Sequence, residues 1–242
     1  MTVKIFEERL TADKGIFYPV VPYDKEDKLL LMDFTDKNTD LTEDILANTN
    51  LFTQYINSKL KASGAKYGIG GYNEHRTIYS RSEIFGPHPN VSSGYESSKE
   101  EPRRLHLGID IWGRPYTQVR TPLDAIVHSF AFNNRYGDYG ATIILTHQLS
   151  GLTFYTLYGH LSLNSIKNLE EGQHIEKGDV FAEFGIPFEN GQWPPHLHFQ
   201  IILNMEGHEG DYPGVCKFSE REKYLNNCPD PDLILNMMKH VT

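Results

Sequence analysis

Histidine marks where this chain concentrates its chemistry, because nine of its eleven imidazoles lie beyond residue 100. Four segments there carry groups suited to a transition metal: HLGID (His106 to Asp110), ILTHQ (His147), YGHLS (His160) and HLHF (His196 and His198). On a strand, residues two apart face the same side about 6.6 Å from one another. His196 and His198 can therefore line one pocket, one on a metal and the other beside it, although a pair of hydrogen-bonded strand histidines has the same spacing. Along a straight strand the four-residue step from His106 to Asp110 spans about 13 Å, too far for both to reach one ion. The segment must bend, and Gly108 stands where a bend costs no Cβ clash. A His, Asp, His set drawn from two strands leaves tetrahedral zinc an open fourth position, which is the layout of a catalytic site. Imidazole with carboxylate and no thiolate also favours zinc over a sulfur-preferring metal.

The elements that must position these groups read as short strands. AIVHSFAF, ATIILTH, TFYTLYGHL, DVFAEFGI and LHFQIIL are β-branched or aromatic runs bounded by Gly, Asn, Asp or Pro. No stretch of helical period separates successive strands in this region, so a mainly β fold built on an antiparallel sheet or sandwich is expected. Upstream, Ile45, Phe52, Ile56 and Leu60 fall on one helical stripe with Gly64 as its stop. FYPVVPY has too many prolines for an inner strand and suits an edge or a packing arm. The tail after residue 205 has room for one or two short helices broken at Pro-Asp-Pro. The expected organisation is an N-terminal α+β arm or small subdomain (1–85), a linker rich in Pro, Gly and Ser (86–104), a β domain (105–204) and a C-terminal extension (205–242).

Taken in order, HLGID, YGDYGATIILTHQ, FYTLYGHLS, EEGQHIEKGDVFAEFG and HLHF resemble the M23 family of zinc metallopeptidases, the lysostaphin-type or LytM-like endopeptidases. The resemblance covers roughly residues 104–203 and leaves the first hundred residues and the tail uncovered. It implies Zn2+ on His106, Asp110 and His198, with His160 and His196 as unliganded histidines beside it, on an antiparallel β groove. It also implies peptide substrates in bacterial peptidoglycan, at glycyl bonds or cross-links. His147 is then a structural partner, while His128, His174 and His208 fall outside the motifs.

No HExxH helix is present to supply a glutamate base. Histidine is the natural substitute, since a pKa near 6.5 lets it take and return a proton. That work falls jointly to His160 and His196. Two stretches depart from the family pattern. PFENGQWPP, before His196, is long and aromatic, and its Trp193 either walls the groove or packs a loop. GGYNEHRTIY (70–79) carries Glu74 and Arg76, which either reach into the groove or dock the arm. Rival readings are a zinc-holding module without turnover, a cytosolic domain acting on another peptide, and a carrier-type hairpin modified at Lys177.

Composition narrows the partners. The 242 residues hold 23 Lys and Arg against 32 Asp and Glu, a formal charge of −9, which argues against a phosphate-binding nucleic-acid surface. No apolar run approaches the roughly 20 residues of a membrane-spanning helix. The opening MTVKIFEERLTADKG does not read as a secretory leader. By sequence the expected compartment is therefore the cytoplasm, and by resemblance it is extracytoplasmic if a leader was removed. Cys216 and Cys228 are too few for a disulfide framework.

Overall fold

The structure, a computed structural model, describes residues 3–12, 15–86 and 100–241. Residues 87–99 of the expected linker, with His88, lie outside the described residues. The helices are α1 (Val3–Ala12), α2 (Glu43–Ala47), α3 (Thr49–Ser63), α4 (Arg221–Leu225) and α5 (Asp232–Leu235). The first six strands are β1 (Leu29–Met32), β2 (Tyr67–Gly70), β3 (Arg103–His106), β4 (Ile109–Trp112), β5 (Gln118–Arg120) and β6 (Ala125–Asn133). Six more follow: β7 (Gly140–Leu149), β8 (Leu152–Leu161), β9 (His174–Ile175), β10 (Val180–Glu183), β11 (His196–Ile202) and β12 (Val215–Lys217). The fold is mainly β, as the strand texture implies.

Eight strands form one sheet in the order β1-β2-β4-β11-β8-β7-β6-β9, and the pairs β10-β5 and β12-β3 form two small ribbons. Among the described strands all pairings are antiparallel except β1 with β2, whose parallel register is bridged by α2 and α3. That crossover lies in the N-terminal third; the histidine-bearing strands are antiparallel throughout. Leu29–Met32 is thus an edge strand, and the first eighty residues extend the sheet that carries the histidines.

The helical stripe is split in two. Asn48 ends α2 and caps α3, its side chain accepting from the Asn50 and Leu51 backbone N–H groups at 2.9 and 3.2 Å. Gly64 closes α3 in the left-handed region at φ 68°, where glycine escapes the Cβ penalty. Phe52 and Ile56 of α3 bury against Met32, Phe34, Trp112 and Trp193. On another flank, Phe6 and Leu10 of α1 enter the main core with Val20 and Val21. Phe6 meets Phe154 edge-on at 5.1 Å. FYPVVPY is therefore a packing arm with no strand of its own.

EEGQHIEKGDVFAEFG does not form a hairpin. Its two strands separate, β9 pairing with β6 and β10 with β5. A carrier turn needs its flanking strands paired to one another, so the carrier reading of Lys177 loses its structural basis. No described helix is long and apolar enough to cross a membrane.

Candidate metal centre and active site

The β3–β12 ribbon and the main sheet meet at the HLGID segment. His106 ends β3, which pairs with β12, while Asp110 lies in β4 of the main sheet. The chain changes sheets across Leu107 and Gly108, and this brings together two side chains that a straight strand would hold apart. In β11, His198 is the cross-strand partner of Asp110. Gly108 has no left-handed backbone to accommodate. It is small because a Cβ there would lie 2.6 Å from His198 Cε1 and 2.8 Å from the Phe199 carbonyl. The bend expected at Gly108 is real, and the demand for glycine comes from the close approach of the His198 ring.

His106, Asp110 and His198 are all buried, and one donor atom from each converges on a common point. His106 Nε2 lies 2.9 Å from His198 Nδ1, and Asp110 Oδ1 lies 3.2 and 3.1 Å from these two nitrogens. The hydrogen-bond network assigns the tautomers. His106 Nδ1–H donates to the Gly71 carbonyl at 2.9 Å, and His198 Nε2–H donates to Gln200 Oε1 at 2.9 Å. Both inward nitrogens are therefore lone-pair atoms, as metal-bound imidazoles require. Burial, with Arg76 nearby, pushes the His106 imidazole down to about 3, so it stays neutral. Burial alone would raise the Asp110 carboxyl, but the permanently charged Arg76 guanidinium opposes it, and the carboxyl stays well below the usual carboxylate range.

Three electron-rich atoms crowded to such distances repel one another unless a cation lies between them. Tetrahedral zinc with bonds of about 2.0–2.1 Å separates its ligands by about 3.3–3.4 Å, close to the triangle seen here. The donor set fits a zinc ion.

His160 and His196 stand beside this triangle. His160 closes β8 at a register shift against β7. Its backbone is left-handed at φ 63°, and its N–H is held by the Tyr139 carbonyl at 2.8 Å. A bulge of this kind re-aims a side chain, here into the cleft. Its ring stacks on His196 with centroids 4.1 Å apart, and His196 stacks in turn on Trp112 at 3.9 Å. His160 Nδ1–H donates to the Asn190 carbonyl and His196 Nδ1–H to that of Pro194, each at 2.8 Å, leaving Nε2 as the lone-pair nitrogen on both rings. Burial, reinforced by each ring's histidine neighbours, pushes His196 down to about 4 and His160 well below its ordinary value.

These groups open onto a cavity of about 280 Å³. Asp110, His160, His196 and His198 line it, with Tyr79 and Trp193 among its walls. Trp193 both packs the loop and walls the cleft. It is buried, its backbone N–H donates to Asn190 Oδ1 at 3.0 Å, and the Arg81 guanidinium stacks over its ring at 4.5 Å.

One functional candidate escaped the motifs, and another lay in a stretch that the sequence left open to two readings. Gln200, two residues past His198 on β11, orients that imidazole and is itself held by the Pro213 carbonyl at 3.2 Å. Its signal was the next place on the same strand face. Arg76, in the turn after β2, donates to Asp110 Oδ2. It docks the arm, and it docks it on a donor side chain. His147 stays away from the cleft, bonded to Thr156 Oγ1 at 2.7 Å and the Asp124 carbonyl at 3.1 Å.

Residues 104–209 match the model for peptidase family M23. No curated protein matches the chain. Solved structures similar to it include a zinc-containing peptidase from Vibrio cholerae, at 24% identity and TM-score 0.33, with 40% of this chain and 27% of that one covered. The catalytic domain of lysostaphin from Staphylococcus simulans aligns at 20% identity and TM-score 0.38, covering 71% of this chain and 96% of that one. Csd3 from Helicobacter pylori aligns at 22% identity and TM-score 0.33, covering 50% and 32%. This chain thus spans about a quarter of the Vibrio peptidase's length. His106, Asp110, His160, His196 and His198 all lie within the stretch that matches peptidase family M23.

Proposed function

We propose that this chain is a zinc-dependent endopeptidase that hydrolyses peptide bonds of peptidoglycan, at glycyl bonds or cross-links. His106, Asp110 and His198 hold the metal, and His160 and His196 carry protons. The observation that supports this most directly is the buried triangle of two imidazole lone pairs and one carboxylate oxygen, 2.9 to 3.2 Å on a side.

Zinc, when bound, supplies a Lewis acid and brings water within reach of deprotonation near neutral pH. The remaining work belongs to the chain. Carbonyls of Asn190 and Pro194 fix the tautomers of His160 and His196. Both rings therefore present an unprotonated Nε2 that can accept a proton and return it to a leaving amine. Their stacking on Trp112 and against one another restricts rotation, so the acceptors are oriented before substrate arrives. Trp193 and Tyr79 limit the water that reaches the cleft, and a drier site strengthens every charge interaction inside it.

The test is metal analysis of the purified full chain, coupled to digestion of sacculi and of short glycyl peptides. Stoichiometric zinc, with release of peptide fragments that chelator abolishes and zinc restores, is the expected result. Zinc binding without cleavage of either substrate would overturn the endopeptidase reading.

A further inference from the structure

The turn from Gly71 to Arg76 lies outside the segment matched to the peptidase family, yet it meets two of the three donor side chains. Its Gly71 carbonyl accepts from His106 Nδ1–H, and its Arg76 guanidinium donates to Asp110 Oδ2. We propose that Arg76 is a positioning residue for the metal centre, which takes Oδ2 of Asp110 and so restricts that carboxylate to ligation through Oδ1 alone. This rests on the metal-centre reading above.

The guanidinium has no freedom to do otherwise. Its side chain is fully buried. Nε donates to Glu74 Oε2 at 2.7 Å and Nη2 to the Gly71 carbonyl at 2.9 Å, while Nη1 serves Asp110 and touches the Tyr79 hydroxyl at 3.4 Å. One face of the group lies over the Phe34 ring at 5.2 Å. The slot is made by omission: a Cβ on Gly70 would lie 2.7 Å from Arg76 Nη2 and 3.1 Å from Phe34 Cε2. Gly70 therefore keeps room for the guanidinium, and the backbone pins the turn in place. Asn73 N–H donates to the His106 carbonyl and His106 N–H to that of Glu74, both at 2.9 Å.

A carboxylate has two oxygens and can bind bidentately unless one is engaged. At Asp110 the division is complete. Oδ1 faces the two imidazole nitrogens and Oδ2 faces the guanidinium. A fixed planar fork does this better than a lysine ammonium, which is a point charge on a flexible stem. With one oxygen withheld, the chain offers three donors, and the fourth tetrahedral position is left for chemistry. A turn that merely fastened the arm could have closed on any polar surface and would leave the ligand set unchanged when altered.

The test is the absorption spectrum of the full chain loaded with Co2+ in place of zinc, for the parent and for Arg76→Met. The parent is expected to show the intense visible bands of four-coordinate cobalt. The variant is expected to lose much of that intensity, as freed Oδ2 raises the coordination number. Superimposable spectra from the two folded proteins would overturn the proposal. Should Arg76→Met fail to fold, zinc-edge X-ray absorption on the parent decides: a single carboxylate oxygen in the first shell supports it, and two overturn it. A parent that takes up neither metal would instead sink the metal-centre reading itself, which separates the two failures.

Discussion

Asp110 and His198 are direct cross-strand partners in the β4–β11 ladder, and Asp110 Oδ1 lies 3.1 Å from His198 Nδ1. The sheet register itself therefore brings a carboxylate and an imidazole from positions 88 apart in sequence to one point. A slip of one residue would turn one of them to the opposite face. The geometry of the centre is thus only as secure as the packing that holds this register, which leads to four expectations.

Gly108→Ala places a Cβ where His198 Cε1 and the Phe199 carbonyl now lie, at 2.6 and 2.8 Å. Backbone cannot yield cheaply there, so the variant should lose about 1–3 kcal/mol of stability, as overpacked sites do. The His198 ring should also be displaced. Urea unfolding and zinc competition with a chromophoric chelator measure the two effects. Parent-like values in both would contradict the close-approach account of this glycine.

Gln200→Leu removes the acceptor of His198 Nε2–H while keeping approximate volume. The imidazole loses the partner that sets its tautomer, and zinc affinity should fall about 10–100-fold. Chelator competition reads the change directly. An unaltered affinity would mean that the β-ladder alone orients His198.

His160→Ala should abolish chelator-sensitive peptide release yet leave zinc stoichiometry intact, because His160 carries no donor atom in the triangle. Loss of a positioned proton carrier typically costs about 10²–10⁴-fold in rate. Metal content and turnover are measured on the same sample, and loss of zinc alongside activity would place His160 among the ligands instead.

His147 makes stability depend on pH. Burial holds its folded pKa at about 4, below the roughly 6.5 of an unfolded chain. Above that upper value both states are neutral and its hydrogen bonds to Thr156 and Asp124 contribute fully. As pH falls from about 6.5 to about 4, the unfolded chain binds a proton that the native fold refuses, so stability declines, by roughly 3 kcal/mol in all. Denaturant titrations of the parent and of His147→Gln across that window should show the variant's curve flatter by up to one proton. Parallel curves would refute the assignment.

Much of the centre was legible in the sequence because it depends on short-range regularities. Strand alternation predicts that His196 and His198 share a face, and Gly108 between His106 and Asp110 predicts a bend. The β-branched runs predict the antiparallel strands that carry His160, His196 and His198. Local signals of this kind survive without knowledge of the partners.

Tertiary structure decided what depends on partners. Tyr67–Gly70 becomes a sheet strand because β4 offers it an edge, and Leu29–Met32 because β2 then offers the next; nothing local distinguishes either from other short apolar runs. The segment around Lys177 looks like a hairpin, but its strands find better partners in β6 and β5. Arg76 stands 34 residues before Asp110, in a turn whose sequence allowed it either to reach the groove or only to fasten the arm. Residue type and local spacing determined which groups could do chemistry. Long-range pairing and close packing decided which atom of each group faces the centre, since a side chain's aim follows from neighbours that the linear order does not reveal.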